Sequence, residues 1–218
     1  MTRCHIEEQE IHMPKPTFFN LPAEKQATLI EAAKDEFSRA PLHEASIANI
    51  VKQAGIPRGS FYQYFEDKDD LYYHLLTQIA QRNHERFVYL LKEKDGDLFS
   101  VFAEFFRIMI HHYKDQKNNC FFRNTYLNMN YRTENTLANH LYEEKRRSQY
   151  LESIHLINTS NLNLQDEEEL HHVIKIIIAV TTRNLIEMFT KDLSEEEALQ
   201  RYLTQIELLK RGLYKENL

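Results

Sequence analysis

Arg58, Gly59, Ser60, Tyr62 and Tyr64 stand within seven residues of one another: a permanent cation, a position where backbone can come close, and three hydroxyls. Those are the groups that hydrogen-bond phosphate oxygens and the edges of bases. The surrounding stretch Ser46 to Phe65, SIANIVKQAGIPRGSFYQYF, holds Lys52 and Arg58 and no acid, so its local charge is +2 in a chain whose formal charge is −6. A general basic coat is excluded, while a small nucleic-acid contact surface is not. A second chemistry rests on His84. It lies on an apolar helical stripe, four residues after Ala80 and three before Phe87. An imidazole there is either a hydrogen-bonded core group or a ligand for an electron-poor centre such as heme iron or zinc.

Other chemistries find less support. His111-His112 and His171-His172 are adjacent pairs whose side chains diverge by about 100° on a helix, so they read as surface residues rather than zinc ligands. There is no HExxH, GxSxG, GxGxxG or GxxxxGK[ST], and carboxylates come in runs such as Asp166-Glu167-Glu168-Glu169 that suit a helix N-terminus. The sequence predicts no enzyme. The helix from Leu98 carries Phe99, Phe102, Phe105 and Phe106, with Phe121 and Phe122 behind. Such a stripe is either ordinary core or an aromatic wall for a flat apolar ligand.

The elements that must position these groups are helices. Glycine numbers only 4 of 218 residues, and all 5 prolines lie at or before Pro57. Sheets and nucleotide-binding α/β folds need turns that this composition does not supply, so the expected fold is all-α. Apolar spacing predicts a first helix over 23–38 and a second from Ser46, capped by its hydroxyl and stopped at Gly55. A short third covers 58–65. A long fourth begins at Asp67 to Asp70 and runs to the break at Asp95-Gly96-Asp97. Beyond it helices are expected over 98–113, from Cys120 toward Asn130, from Glu134 into Ile157, over 165–191 and over 195–214. The last opens with the capping box Ser194-Glu195-Glu196-Glu197, and Asn158 to Asn163 reads as a loop. Between Val173 and Val180 apolar residues go almost all the way round, which predicts one face for the subunit core and another for a partner chain. Residues 1–12 read as a flexible arm, and 13–70 and 71–218 as two domains, which the family resemblance described below assigns to DNA binding and to effector binding with dimerisation. Cys4 and Cys120 have no paired spacing, and no signal-type or membrane-spanning apolar run occurs, so the cytoplasm is the expected compartment and no membrane partner is expected.

Helix, glycine turn and short helix over 46–65 is the layout of a helix-turn-helix. Residues 23–76 resemble the DNA-binding domain of the TetR family of bacterial transcriptional regulators. The resemblance rests on Ala54-Gly55-Ile56-Pro57-Arg58-Gly59-Ser60-Phe61-Tyr62-Gln63-Tyr64-Phe65 and the following Glu66-Asp67-Lys68-Asp69-Asp70-Leu71. Pro57 departs from the serine or threonine that many members carry there. The resemblance implies a repressor that binds double-stranded operator DNA as a homodimer and is released by a small apolar effector. It also places Arg58, Ser60, Tyr62 and Tyr64 on the recognition helix and sets Lys68 against a phosphate. Together with the opening Met13-Pro14-Lys15-Pro16-Thr17-Phe18-Phe19, the same run looks like the heme-responsive TetR-type repressors that control heme-efflux transporters. That narrower resemblance implies heme as effector ligand, His84 as one axial ligand of its iron, and His155 or Tyr131 as the second.

Overall fold

The structure is a computed structural model that describes residues 14–115, 118–138 and 153–214. The described residues are helical throughout their regular elements, with one isolated bridge between Leu162 and Tyr214. The chain divides into two compact units, residues 1–75 and 76–218. The expected arm, residues 1–12, lies outside the described residues.

The first unit contains α1 (Pro16–Phe19), α2 (Ala23–Arg39), α3 (Ile47–Ala54), α4 (Arg58–Tyr64) and the opening of α5 (Lys68–Glu93). Leu29, Ala32, Ala33 and Phe37 form the buried stripe of α2, which ends at extended Ala40 before Pro41. In α3 the buried pair is Ile50 and Val51. Gly55 then takes the left-handed conformation at φ 66°, and the N–H of Ile56 returns to the Val51 carbonyl at 3.1 Å, closing the helix end and starting the turn. Ser46 occupies the N-cap position of α3, but its hydroxyl makes no capping bond, contrary to expectation. Its backbone N–H is held instead by the Glu36 carboxylate at 2.7 Å. Phe18, Phe37, Phe61, Phe65 and Leu71 are all no more than 1% exposed and make the core, each contributing ~1.5–3 kcal/mol by leaving water. The expected boundary at 70/71 falls within α5. Tyr72 packs its ring on Phe37 at 5.0 Å and His74 packs on Phe18 at 5.5 Å, so the first two turns of the helix belong to this unit.

At the start of α5, Asp67 accepts the Asp70 N–H at 2.8 Å while Asp70 reaches back to the Glu66 N–H at 3.1 Å. This is the expected capping box with its return bond displaced by one residue.

The second unit contains the rest of α5 with α6 (Leu98–Lys114), α7 (Asn119–Leu127), α8 (Tyr131–Ala138), α9 (Glu167–Thr190) and α10 (Glu195–Leu213). Side chains hold the helix starts: Asp97 accepts from Ser100 N, Asp166 from Glu169 N, and Ser194 with Glu197 forms the full capping box. Phe106 of α6 stacks on Tyr202 of α10 at 3.9 Å, and Tyr126 of α7 on Phe189 of α9 at 5.7 Å. Between α9 and α10 the buried hydroxyls of Thr181 and Tyr202 bond at 2.8 Å. Of the stretch expected from Glu134 into Ile157, α8 covers the beginning and starts earlier, at Tyr131; residues 139–152 lie outside the described residues. At the α5–α6 turn, Gly96 has φ 74°, and a Cβ there would lie 2.3 Å from the Leu156 carbonyl oxygen. Its own carbonyl accepts the Asn158 N–H at 3.0 Å, which fastens the 156–158 segment to the turn. No described helix is long and apolar enough to cross a membrane.

Candidate DNA interface and effector site

Seven residues make α4, and its two sides differ. Phe61 is fully buried and Phe65, just past the helix, equally so; these fix which face turns inward. The opposite face carries Arg58, Gly59 and Gln63 exposed, Tyr62 at 41% exposure and Ser60 half-buried. Arg58 Nη2 lies 3.5 Å from the Tyr62 hydroxyl, so the cation and the phenol share one ridge a helical turn apart. A Cβ at Gly59 would meet nothing within 4 Å, which leaves the backbone open to a molecule outside the chain. Lys52 is exposed near the end of α3.

Two residues expected at DNA have partners inside the unit. Tyr64 is half-buried with its ring 6.5 Å from Phe18. Lys68 donates from Nζ to the carbonyls of His43 at 2.9 Å and Ala45 at 3.0 Å. Two of its three donors therefore stitch the α2–α3 turn to the start of α5.

Sequence reasoning missed three groups that place this surface. Glu36, 4% exposed, accepts from Ser46 N, from Asn49 Nδ2 and in bidentate fashion from Arg39 at 2.7 and 2.8 Å. The Arg39 bonds hold its carboxyl down at about 2, well under its ordinary 4.5. Its signal was available, since position 36 falls on the same stripe as Ala33 and Phe37. His74 sits among the rings of Phe18, Phe19 and Phe65, and burial lowers its pKa to about 4. The apolar-stripe argument that selects His84 selects His74 equally, between Leu71 and Leu75. The third group is the segment around Lys15, which contacts α4 from more than forty positions earlier in the chain.

In the second unit His84 is half-buried on α5, and burial lowers its pKa, so the imidazole is neutral near pH 7. Next to it Asn83 Nδ2 donates to the buried Tyr113 hydroxyl at 3.0 Å, and Tyr113 stacks on Phe122 at 3.7 Å. Phe87 lies 4.9 Å from Phe102 and 5.5 Å from Phe105. Phe102, Phe105 and Phe106 are thus buried in helix packing, and Phe106 is taken up by Tyr202. His155 is exposed and lines a different place, an open cavity of about 500 Å³ walled by Ile154, Ile157, Leu162 and Leu170 with Thr159 and Gln165 among its polar groups. His84 does not line that cavity, nor does Tyr131, which is 79% exposed at the start of α8. Among the described residues no group of three or more His, Cys, Asp or Glu side chains could hold a metal ion.

Comparison with known proteins bears on both units. Residues 29–75 match the family described as "Bacterial regulatory proteins, tetR family", and residues 97–213 match "Tetracyclin repressor-like, C-terminal domain". The uncharacterized HTH-type transcriptional regulator YdgC of Bacillus subtilis (strain 168) is 39% identical over 59 residues, 27% of this chain and 30% of that protein. The fatty acid metabolism regulator protein of the same organism is 31% identical over 70 residues, 32% of this chain and 36% of that protein. The chain thus spans only about a third of the length of these curated relatives. A solved structure of the fatty acid degradation regulator FadR from Bacillus halodurans superposes with a TM-score of 0.61 at 17% identity, covering 86% of this chain and 98% of its own. A tetR-family regulator from Streptomyces coelicolor gives 0.60 at 18% identity, covering 87% and 81%. At such identities these structures show a shared fold. With a helix-turn-helix whose outward face is basic and hydroxyl-rich, and with family matches covering both units, the chain belongs to the TetR family of bacterial regulators, DNA-binding transcription factors rather than enzymes.

Proposed function

We propose that this regulator is a repressor, working in the cytoplasm, that holds a near-palindromic operator as a homodimer and lets go when an apolar small molecule enters its second unit. The ridge of Arg58 and Tyr62 on α4, backed by buried Phe61 and Phe65, carries the reading. Two such helices, one per protomer, would enter successive major grooves. The dimer is supported by the outer side of α9, where Ile176 is 49% exposed one position before fully buried Ile177, and by Leu208 of α10 at 61%.

For the effector, the apolar walls of the cavity near His155 suit a long acyl chain, while Asp166 and Glu167 on its edge require an anionic head group to stay out in solvent. The likeness to FadR from Bacillus subtilis, solved in complex with stearoyl-CoA and 18% identical to this chain, supports that class. A second reading, heme, is favoured by the neutral imidazole of His84 beside the aromatic packing of α5 and α6. The fit is partial. His84 offers a nitrogen lone pair to iron, but His155 lines a cavity to which neither His84 nor Tyr131 contributes. Heme would supply a Lewis-acidic iron, and the regulated gene would then be a heme-efflux transporter. Gel shift on a duplex enriched by the protein from a random library, repeated with stearoyl-CoA and with hemin, decides between them. Release by stearoyl-CoA alone supports the acyl reading. A saturable hemin absorption band that weakens in His84→Ala, together with loss of hemin-driven release, supports heme. Failure of both ligands to release DNA overturns both effectors.

A further inference from the structure

We infer that residues 14–19 form a brace that caps the C-terminal end of α4, and that Lys15 and Thr17 are positioning residues for DNA recognition. The inference rests on reading α4 as the helix that meets DNA. A helix of seven residues is too short to hold itself together, and its last four carbonyls have no partners within it. All four are nonetheless satisfied. Phe65 N closes on Phe61 O at 2.9 Å. Lys15 Nζ donates to Tyr62 O at 2.8 Å, Thr17 Oγ1 donates to Gln63 O, and Lys15 N donates to Tyr64 O at 2.8 Å. Three consecutive carbonyls are thus capped by one segment from far upstream.

The segment is built for this. Pro14 and Pro16 flank Lys15, fix the local backbone and have no N–H of their own, so Lys15 presents the donor at that point. Phe18, 1% exposed, anchors the brace by packing 5.0 Å from Phe65. The Lys15 ammonium also lies at the helix end where the peptide dipoles place partial negative charge. Phe18 supplies adhesion, while the three donors fix the rotation and tilt of α4 and therefore where Arg58 and Tyr62 point. Lys15 is a cation in a DNA-binding unit whose charge is turned onto protein carbonyls.

The test compares Lys15→Met, Lys15→Arg and Thr17→Val with wild type in the full-length protein, on a duplex enriched from a random library and on calf-thymus DNA. Thermal unfolding followed by circular dichroism confirms that each variant folds. Lys15→Met and Thr17→Val are each expected to lose about 10-fold on the enriched duplex and little on calf-thymus DNA, with the salt dependence of binding unchanged, and Lys15→Arg to recover most of the loss. Unchanged specific affinity in both overturns the brace. So does a fall of about one in the salt slope of Lys15→Met, which would mean that the ammonium sits on a phosphate. If wild type enriches no duplex, the DNA reading of α4 fails by itself. Amide exchange then decides the brace: faster exchange of the α4 amides in Lys15→Met and Thr17→Val sustains it, and unchanged exchange overturns it.

Discussion

Glu36 and Ser46, ten positions apart, are joined by a hydrogen bond of 2.7 Å from the Ser46 backbone N–H to Glu36 Oε1. One carboxylate on α2 thereby fixes the first residue before α3, and with Asn49 and Arg39 it fixes the spacing of the two helices. Glu36→Gln keeps the shape and discards the charge, leaving buried donors poorly matched. The expected cost is ~2–3 kcal/mol, read as a lower urea midpoint at pH 7. Because the folded pKa of Glu36 is lowered from 4.5 to about 2, its contribution is complete above pH 4.5 and disappears as pH falls toward 2. The variant should therefore decline less steeply than wild type in that window, Glu187 and Glu197 supplying what remains.

His74 acts in a different pH window. Its neutral form is the one packed among Phe18, Phe19 and Phe65, and its folded pKa of about 4 lies below the ordinary 6.5. The unfolded chain takes up a proton first, so stability is complete above about pH 6.5 and falls as pH drops toward 4, by at most ~3 kcal/mol. His74→Leu should flatten the urea-midpoint profile between those limits. Parallel profiles for the two proteins would refute the assignment.

Arg58→Ala and Tyr62→Phe remove the cation and the hydroxyl of the exposed α4 ridge without touching Phe61 or Phe65. Operator affinity should drop by about 5- to 100-fold in each, with unfolding temperatures close to wild type. Binding of the wild type should also weaken steeply between ~50 and ~200 mM salt. Fluorescence anisotropy on the enriched duplex measures both.

Neighbouring isoleucines of α9 should behave in opposite ways. Ile176 is 49% exposed, so Ile176→Lys should leave a folded chain and convert the proposed dimer to monomer. Ile177 is fully buried, so Ile177→Lys should unfold the second unit. The sequence pattern alone treats the whole run from 173 to 180 as equivalent. Light scattering combined with circular dichroism separates the two outcomes, and a dimeric Ile176→Lys protein would remove this face from the interface.

Helix boundaries were legible because their signals are local. Gly55 ends α3, Asp97, Asp166 and Ser194 cap the helices that follow them, and the apolar stripes select the right core faces. The α4 ridge was legible for the same reason, since Phe61 and Phe65 leave Arg58 and Tyr62 on the opposite side. What escaped was contact between distant positions. No spacing rule connects Lys15 with Tyr62, and Lys68, which the family resemblance sets against a phosphate, donates to the carbonyls of His43 and Ala45. Ser46 shows the limit even locally: a serine before an apolar stripe predicts a hydroxyl cap, but Glu36 takes its place from another helix. The effector site was least legible, because a stripe such as Phe102, Phe105 and Phe106 looks the same whether it walls a ligand or, as here, packs on Phe87 and Tyr202.

Gly96 gives the second unit a joint with no play. Its carbonyl holds Asn158, and the space where a side chain would stand is filled by the 156–158 backbone, while Ile157 in that same segment faces the cavity that His155 lines. A guest that pushes on Ile157 therefore pushes on the foot of α5, with no soft side chain between to absorb the movement. A larger residue at 96 would wedge the joint apart and uncouple the cavity from the C-terminal end of α5.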